Sequence, residues 1–549
     1  MSMIGPWSIL TRVRSAWGSL SGALLAEKPG GGPQPTIWTS RLHFYAFFAT
    51  LAAHLLVYAP SLFHIFRNDH WTFLYVTREW DFSSLHKFHY IGHMIWFDRS
   101  RFIPLGCLFI GFQKCLFGPS YFGHHVLLFI LHFSITWTLC KLMLVIQRGV
   151  LAYALALMFS LLIGNIDGAV WNYSSVYPFQ LLLLLIAIYQ FERGLRDGRF
   201  TSRRRMLIAA LLAASVFVNE SGAPLSLLVC LFFLLHRKRL GPLGRGGVQW
   251  VILLVLPVLV YGAMYYLNIQ QAALIVGPED PGAPERVLRL RNIMRLPRLH
   301  LDVFHRYLFH VLVPTGTQLG YREVTYVSPG RSDFPFSAIL LNYACVLVLM
   351  AGFWWGARWA VEPSALPRPE RALKGRRALF YLLALLGYMT PILLGRSVTY
   401  GPDIVLQTSR YMYGYSAFLL LFLYAMVDLG ELRSIRRGAV HGAVVASVLV
   451  LATLHGIYVR QAVDHMTYLL APLRSYFDQV HQFVRRHRGE PDFSFKMLTP
   501  PPQITFSDYV HVNRCLDGFF HAYKRERGAK YILEFDLEEG KLQVKGGGP

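Results

Sequence analysis

The feature that most constrains this chain is a succession of long apolar runs. A helix needs about 20 apolar residues to cross the hydrocarbon of a bilayer. Backbone in lipid must also satisfy its own hydrogen bonds, which restricts spanning structures to helices and closed barrels. The runs lie at about 43–63, 121–147, 149–164, 177–194, 206–218, 222–236, 248–267, 336–357, 377–396, 412–429 and 438–458. They predict an all-α polytopic membrane protein with about eleven transmembrane helices. Composition agrees: the 549 residues are 54% hydrophobic and only 15% charged, where a soluble chain carries about a quarter charged residues.

The charges orient the spans. The chain has 54 Lys and Arg against 31 Asp and Glu, a formal net charge of +23. A nucleic-acid-binding surface would gather such an excess into one patch, but here it is scattered in short clusters between apolar runs, so no nucleic-acid partner is expected. With the N-terminus inside, Lys141/Arg148, Arg203-Arg204-Arg205, Arg237-Lys238-Arg239, Arg368 to Arg377 and Arg433 to Arg437 all fall on the cytoplasmic side, as the positive-inside rule requires. Four polar segments then face outward, at 64–120, 165–176, 268–335 and 459–549, together with the turn Asn219-Glu220-Ser221-Gly222.

The domains expected from this pattern are a cytoplasmic tail (1–42), a transmembrane core with the first outer loop (43–267), a second outer loop (268–335), C-terminal transmembrane helices (336–458) and a small soluble tail on the outer side (459–549). Within the first loop, the short apolar stretch 102–117 suits a helix lying along the membrane surface. The alternations Tyr531 to Asp536 and Lys541 to Lys545 suggest a β-hairpin in the tail. The first 40 residues lack the continuous apolar core of a cleavable signal. The six cysteines form no CxxC, so neither a zinc nor a redox motif is signalled.

Ionisable residues at span ends are the candidates for chemistry, because charge at a membrane boundary is costly without a role. Asp69 follows the first span in Phe66-Arg67-Asn68-Asp69-His70-Trp71, where an ion pair with Arg67 is the plainer reading. Asp167 ends the third span, where an acid also serves as a helix cap. Glu220 lies in the turn of a short helical hairpin. Arg99, Arg101, Arg396 and Arg410 could bind a phosphate through their guanidinium forks, or simply snorkel. His86, His89 and His93 share a helix face, but the run His89-Tyr90-Ile91-Gly92-His93 lacks the glutamate of a HisGluxxHis zinc motif. No metal ligands are assigned, and a divalent ion is not favoured.

The order of these motifs resembles the GT-C glycosyltransferases, polytopic enzymes that use polyprenyl-phosphate-linked sugars, and among them the bacterial mannosyltransferase-like and TMTC-type proteins. The resemblance runs through Asn68-Asp69, then Arg101-Phe102-Ile103-Pro104-Leu105, then Leu116-Phe117-Gly118 with His124 and His132. It continues through Asp167 with Val170-Trp171, Asn219-Glu220-Ser221-Gly222-Ala223-Pro224 and Arg410-Tyr411-Met412-Tyr413. It covers about 43–240 closely and 377–430 more loosely. Asn68 stands where members often carry a second acid, and Asn219 where they often carry lysine.

The resemblance implies an inverting transfer of sugar from a polyprenyl-phosphate donor to a lipid, glycan or protein acceptor on the non-cytoplasmic face. Asp69 would be the base that takes the acceptor's proton. Arg410 and Arg396 would hold the phosphate, Asp167 and Glu220 would position hydroxyls, and Arg101 and His124 would help bind substrate. The resemblance makes no cofactor certain and leaves a divalent metal possible but not favoured. The bacterial inner membrane is the expected location, from the Ala-, Arg- and Leu-rich composition. The alternatives are a non-catalytic membrane scaffold, or a lipid or glycan transporter; a transporter would show broken spans and inverted repeats, and neither is visible in the sequence.

Overall fold

A computed structural model describes residues 37–66, 73–74, 77, 79–90, 103–147, 149–198, 200–235, 245–276, 290–312, 368–394, 409–429, 436–499, 520, 523–525 and 527–547. The chain divides into two compact units, Met1–Thr50 and Leu51–Pro549. In the first, the described residues form the beginning of helix α1 (Ile37–Tyr58), with Phe44, Tyr45 and Phe48 exposed as a lipid-facing side chain would be.

In chain order there follow α2 (Pro104–Phe117), α3 (Tyr121–Ile146), α4 (Val150–Leu161), α5 (Ile166–Val170), α6 (Val176–Arg196), α7 (Ser202–Val218), α8 (Gly222–Leu235), α9 (Arg245–Val276), α10 (Leu290–Leu312), α11 (Arg368–Ile392), α12 (Ser409–Leu429) and α13 (Arg436–His487). Strands β1 (Phe495–Met497), β2 (Tyr531–Asp536) and β3 (Lys541–Gly547) close the chain. Local signals set several ends. Pro104 opens α2, where its missing N–H costs nothing. Gly118 ends α2 at φ 54, a conformation that side chains resist. The Ser120 hydroxyl caps α3 by accepting from the Gly123 amide at 3.4 Å.

Among the described residues, four helical segments are long and apolar enough to cross a membrane: Arg41–Phe63, Tyr121–Ile146, Val248–Leu267 and Gly442–Tyr468. Val150–Leu161 and Ile163–Val170 make a fifth if the pair, bent by 58°, counts as one span. The protein is an integral membrane protein on this ground. The eleven runs exceed this number because α6, α7, α8, α11 and α12 are shorter or carry more polar residues. Much of their apolar surface packs into one interior cluster with α3 and α4 rather than facing lipid. The run at 336–357 lies outside the described residues.

Two stretches expected to be polar segments hold long helices. α9 continues to Val276 and α10 occupies Leu290–Leu312, so the expected loop 268–335 is partly helical. The face of α10 that carries Val303, Tyr307, Leu308 and Val311 joins the interior cluster, and this amphipathic period supplies the helix that average polarity concealed. Likewise α13 runs on past the expected boundary at 458 to His487. α2 forms where a surface helix was expected, but Gly106, Cys107, Ile110 and Gly111 are buried. It packs on α6 and α7: a Cβ at Gly106 would stand 2.7 Å from the Val218 carbonyl oxygen.

The tail is a three-stranded sheet. β2 and β3 form the expected antiparallel hairpin, and β1 joins β2 in parallel. The sheet is docked on the extension of α13. Gln479 donates to the Gly540 carbonyl at 2.6 Å and accepts from the Leu542 amide at 2.6 Å. A single hydrophobic cluster joins Ile65, Phe66, Phe73 and Leu74 of the first loop, Ile110 of α2, Val218 at the end of α7, Tyr476 and Phe477 of α13, and Phe495 and Phe535 of the sheet. Segments far apart in the chain thus meet at one end of the bundle.

Candidate functional site

The site is built on the break between α4 and α5. Backbone freed by a broken membrane helix must be satisfied by its neighbours, and here side chains from two other segments and from the break itself do so. The Ser160 carbonyl accepts from the Tyr58 hydroxyl at 2.9 Å and from His132 Nε2 at 3.0 Å. The Phe159 carbonyl accepts from Asn165 Nδ2 at 2.8 Å, and Asn165 Oδ1 accepts from the Ser416 hydroxyl of α12 at 2.6 Å. A carbonyl only accepts, so Nε2 of His132 carries the proton and Nδ1 receives the Tyr413 hydroxyl. His54 Nδ1 meets the Ser160 hydroxyl at 2.9 Å. These bonds hold the chain in the bend that presents Asp167.

Asp167 lies in the first turn of α5 and is fully buried. The next residue, Gly168, has no side chain because the Tyr413 ring occupies the place a Cβ would take. Asp167 is therefore fixed against the start of α12, whose first residues are Ser409-Arg410-Tyr411-Met412-Tyr413.

Glu220 approaches the same helix from elsewhere. It sits in the turn between α7 and α8, within electrostatic reach of Tyr388 on α11. Tyr388 in turn lies over Gly414, again where a Cβ would stand. A Cβ at neighbouring Gly387 would be 3.3 Å from Pro224 Cβ at the start of α8. Tyr177 of α6 completes the surroundings, with its ring 5.8 Å from that of Tyr411. Asp167 and Glu220, 53 residues apart in sequence (220 − 167), thus flank consecutive residues of α12: Gly168 beside Tyr413, and Glu220 through Tyr388 beside Gly414.

The other expected residues divide. Asp69, Arg101 and Arg396 lie outside the described residues, as does the side chain of Arg410, whose backbone belongs to the first turn of α12. His124 is fully buried between Phe66 and Phe117, at ring separations of 5.2 and 5.4 Å, and its Nε2 donates to the Gly118 carbonyl at 3.2 Å. It braces the junction of α2 and α3 against the segment that leads to Asp69. Among the described residues no group of three His, Cys, Asp or Glu is placed to hold a metal ion.

Sequence reasoning passed over Gln180 and Arg474, and named His132 and Tyr413 only within motifs, without a role. Gln180, within an apolar run, donates to the Asn219 carbonyl at 2.8 Å and the Ser215 carbonyl at 3.3 Å, and so holds the Glu220 turn. The His132–Tyr413 couple holds the Asp167 turn. Arg474 of α13 lies over the rings of Phe63 and Tyr121, 5.4 and 5.6 Å from their centres, and pairs with Asp478 at 3.6 Å. The available signal for Gln180 and His132 was a polar side chain in an apolar helix, which lipid tolerates only where it finds a partner.

No protein-family model and no curated protein matches the chain. Among solved structures, the chain is similar to the oligosaccharyltransferase AglB from the archaeon Archaeoglobus fulgidus in complex with an inhibitory peptide and a dolichol-phosphate. The identity is 12% and the TM-score 0.42, over 93% of this chain and 74% of that one. It is similar to the apo form of the A. fulgidus oligosaccharyltransferase at 12% identity and TM-score 0.42, over 88% of this chain and 65% of that one. For the complex of that enzyme with Zn and sulfate the identity is 11% and the TM-score 0.37, over 88% and 67%.

Proposed function

We propose that this protein is a membrane glycosyltransferase of the GT-C type, which moves a sugar from a polyprenyl-phosphate donor to a lipid, glycan or protein acceptor on the non-cytoplasmic face. The observation that supports this reading best is the approach of Asp167 and Glu220 to the start of α12. Gly168, next to Asp167, packs against Tyr413 of α12, and Tyr388, within electrostatic reach of Glu220, packs against the adjacent Gly414; that helix begins Ser409-Arg410. Two acids near a helix whose first turn carries an arginine suit a reaction in which hydroxyls are oriented and a phosphate leaves.

In this reading Asp69 accepts the acceptor's proton as the transfer inverts the anomeric carbon. Asp167 and Glu220 orient hydroxyls, and Arg396, Arg410 and Arg101 neutralise the lipid phosphate. A polyprenyl phosphate is already a fair leaving group, and these cations would hold it as it departs. The donor's tail would lie in a groove among the spans, with α2 walling one side of the site. Mass spectrometry of surface glycans and glycoproteins from cells lacking the gene tests the assignment. Loss of one sugar residue, restored by the wild-type gene but not by Asp69→Asn, is expected. An unchanged glycan profile contradicts it.

A further inference from the structure

We propose that the turn between α7 and α8 is a recognition site for sugar hydroxyls, formed by Glu220, Ser221 and Gln180. It deepens the transferase reading and rests on it for the sugar's place in the reaction. The chemistry of the turn is argued independently.

The turn carries two polar atoms that are buried and have no hydrogen-bond partner among the described residues, Glu220 Oε2 and Ser221 Oγ, and Gln180 of α6, which bonds the turn, carries a third at Oε1. Buried polar atoms are nearly always satisfied, and each exception calls for a cause. One orphan can be an accident of packing; two in a single turn, with a third on the side chain that holds it, form a pattern. The orientation of the Gln180 amide is fixed by its neighbours. Its nitrogen faces the carbonyls of Ser215 and Asn219, which can only accept, so its oxygen must face away from them as a free acceptor.

The turn is also rigid. A Cβ at Gly222 would stand 2.6 Å from the Ser215 carbonyl oxygen, so α8 starts with its backbone against the end of α7. The Ser221 amide donates to Asn219 Oδ1 at 3.2 Å, and the Gly222 amide to the Asn219 carbonyl at 3.0 Å. Gly106 of α2 presses on the Val218 carbonyl from another side. The backbone that carries Glu220 and Ser221 is therefore held by α2, α6 and α7. Glu220 itself is only partly buried, which gives a ligand its approach.

The atoms identify the ligand class. The set offers two acceptors, one of them a carboxylate oxygen, and one hydroxyl that can donate or accept. An anion would meet a carboxylate and only one donor. A run of hydroxyls, as on a pyranose ring, would satisfy all three atoms, with a diol across the Glu220 carboxylate. A fixed set of unsatisfied groups is a binding site that costs the empty protein stability.

That cost supplies the test. Full-length wild type, Ser221→Ala and Glu220→Gln are reconstituted in nanodiscs and read in two ways: thermal midpoint without ligand, and saturation-transfer NMR with free mannose, glucose or galactose. Ser221→Ala is expected to keep or raise the midpoint, since it removes a buried hydroxyl that has no bond to lose. Both variants are expected to weaken hexose binding by about two- to tenfold, the worth of one hydrogen bond. Gln180→Leu, which does lose bonds, is expected to lower the midpoint. The proposal is overturned if no hexose gives saturation transfer to wild type, if both variants bind hexose as wild type does, or if Ser221→Ala lowers the midpoint by several degrees. A midpoint raised by sodium but by no hexose would make a cation the occupant and overturn it too. Hexose bound through this turn by a protein that transfers none from a lipid phosphate would sink the transferase reading and leave this one standing.

Discussion

The ring of Tyr413 fills the space beside Gly168, and its hydroxyl is held by His132. One contact therefore sets both the position of the Asp167 turn and the depth at which α12 packs on it. Gly168→Ala forces the ring or the turn to move. Overpacking of this kind costs about 1–3 kcal/mol, and the acid would shift with its backbone. Gly168→Ala is expected to lower the thermal midpoint and the transfer rate together, whereas Tyr413→Ala combined with Gly168→Ala should recover part of the stability. A double-mutant cycle reads the coupling. Additive effects would mean that the two residues do not constrain each other.

A second internal contact lies away from the site. Arg377 of α11 meets Glu192 of α6 at 2.9 Å, with both groups buried, and the Tyr381 hydroxyl donates to the same carboxylate at 3.2 Å. Removing one partner of a buried pair strands the other, at about 3–5 kcal/mol. Arg377→Met alone should destabilise strongly, while Arg377→Met with Glu192→Leu should be far milder. Thermal unfolding in detergent, followed by tryptophan fluorescence, distinguishes the two. Equal losses in the single and double variants would show that the ion pair itself is worth its burial.

The long spans were legible because apolar length is a property of the chain alone: the expected 43–63, 121–147 and 248–267 reappear as Arg41–Phe63, Tyr121–Ile146 and Val248–Leu267. The hairpin of β2 and β3 was legible from its alternation. What composition concealed was anything decided by a partner. The bend at Leu162 has no proline to mark it, and it persists because Tyr58, His132 and Asn165 satisfy the carbonyls it frees. α10 was hidden because one face is apolar and the other cationic, so its average reads as a loop. Asp167 and Glu220 were singled out from their positions at span ends. Their common neighbour α12 became visible only in three dimensions, because the contacts run through Tyr413 and Tyr388 rather than between the acids.

The tail carries a pH-sensitive tie. Glu490 accepts from Lys530 at 2.9 Å, from His487 at 2.6 Å and from the Tyr531 hydroxyl at 2.8 Å. These bonds, that of Lys530 foremost, bring its carboxyl down from an ordinary 4.5 to about 2. A depressed carboxylate stabilises the fold above its ordinary value and loses that contribution as pH falls toward the folded one. The junction of the sheet with α13 should therefore loosen between about pH 4.5 and 2. Protection of the amides across Tyr531–Asp536, taken relative to the intrinsic exchange rate at each pH, should fall over that interval in the wild type, and Glu490→Gln should abolish the step. Protection that is flat with pH in the wild type would remove this role from Glu490.

The central claim is transfer of a sugar from a lipid phosphate, with Asp69 as base. It is tested most directly by incubating the purified full-length protein, in nanodiscs, with radiolabelled polyprenyl-phosphate hexoses and a membrane extract as acceptor. Wild type should release polyprenyl phosphate and label the acceptor. Asp69→Asn, similar in shape but unable to take a proton, should be slower by about 10²–10⁴-fold, while its thermal midpoint stays where it was. Near-normal turnover by Asp69→Asn, with transfer abolished by Asp167→Asn instead, would move the base to α5; no transfer by the wild type from any polyprenyl-phosphate hexose would contradict the account itself.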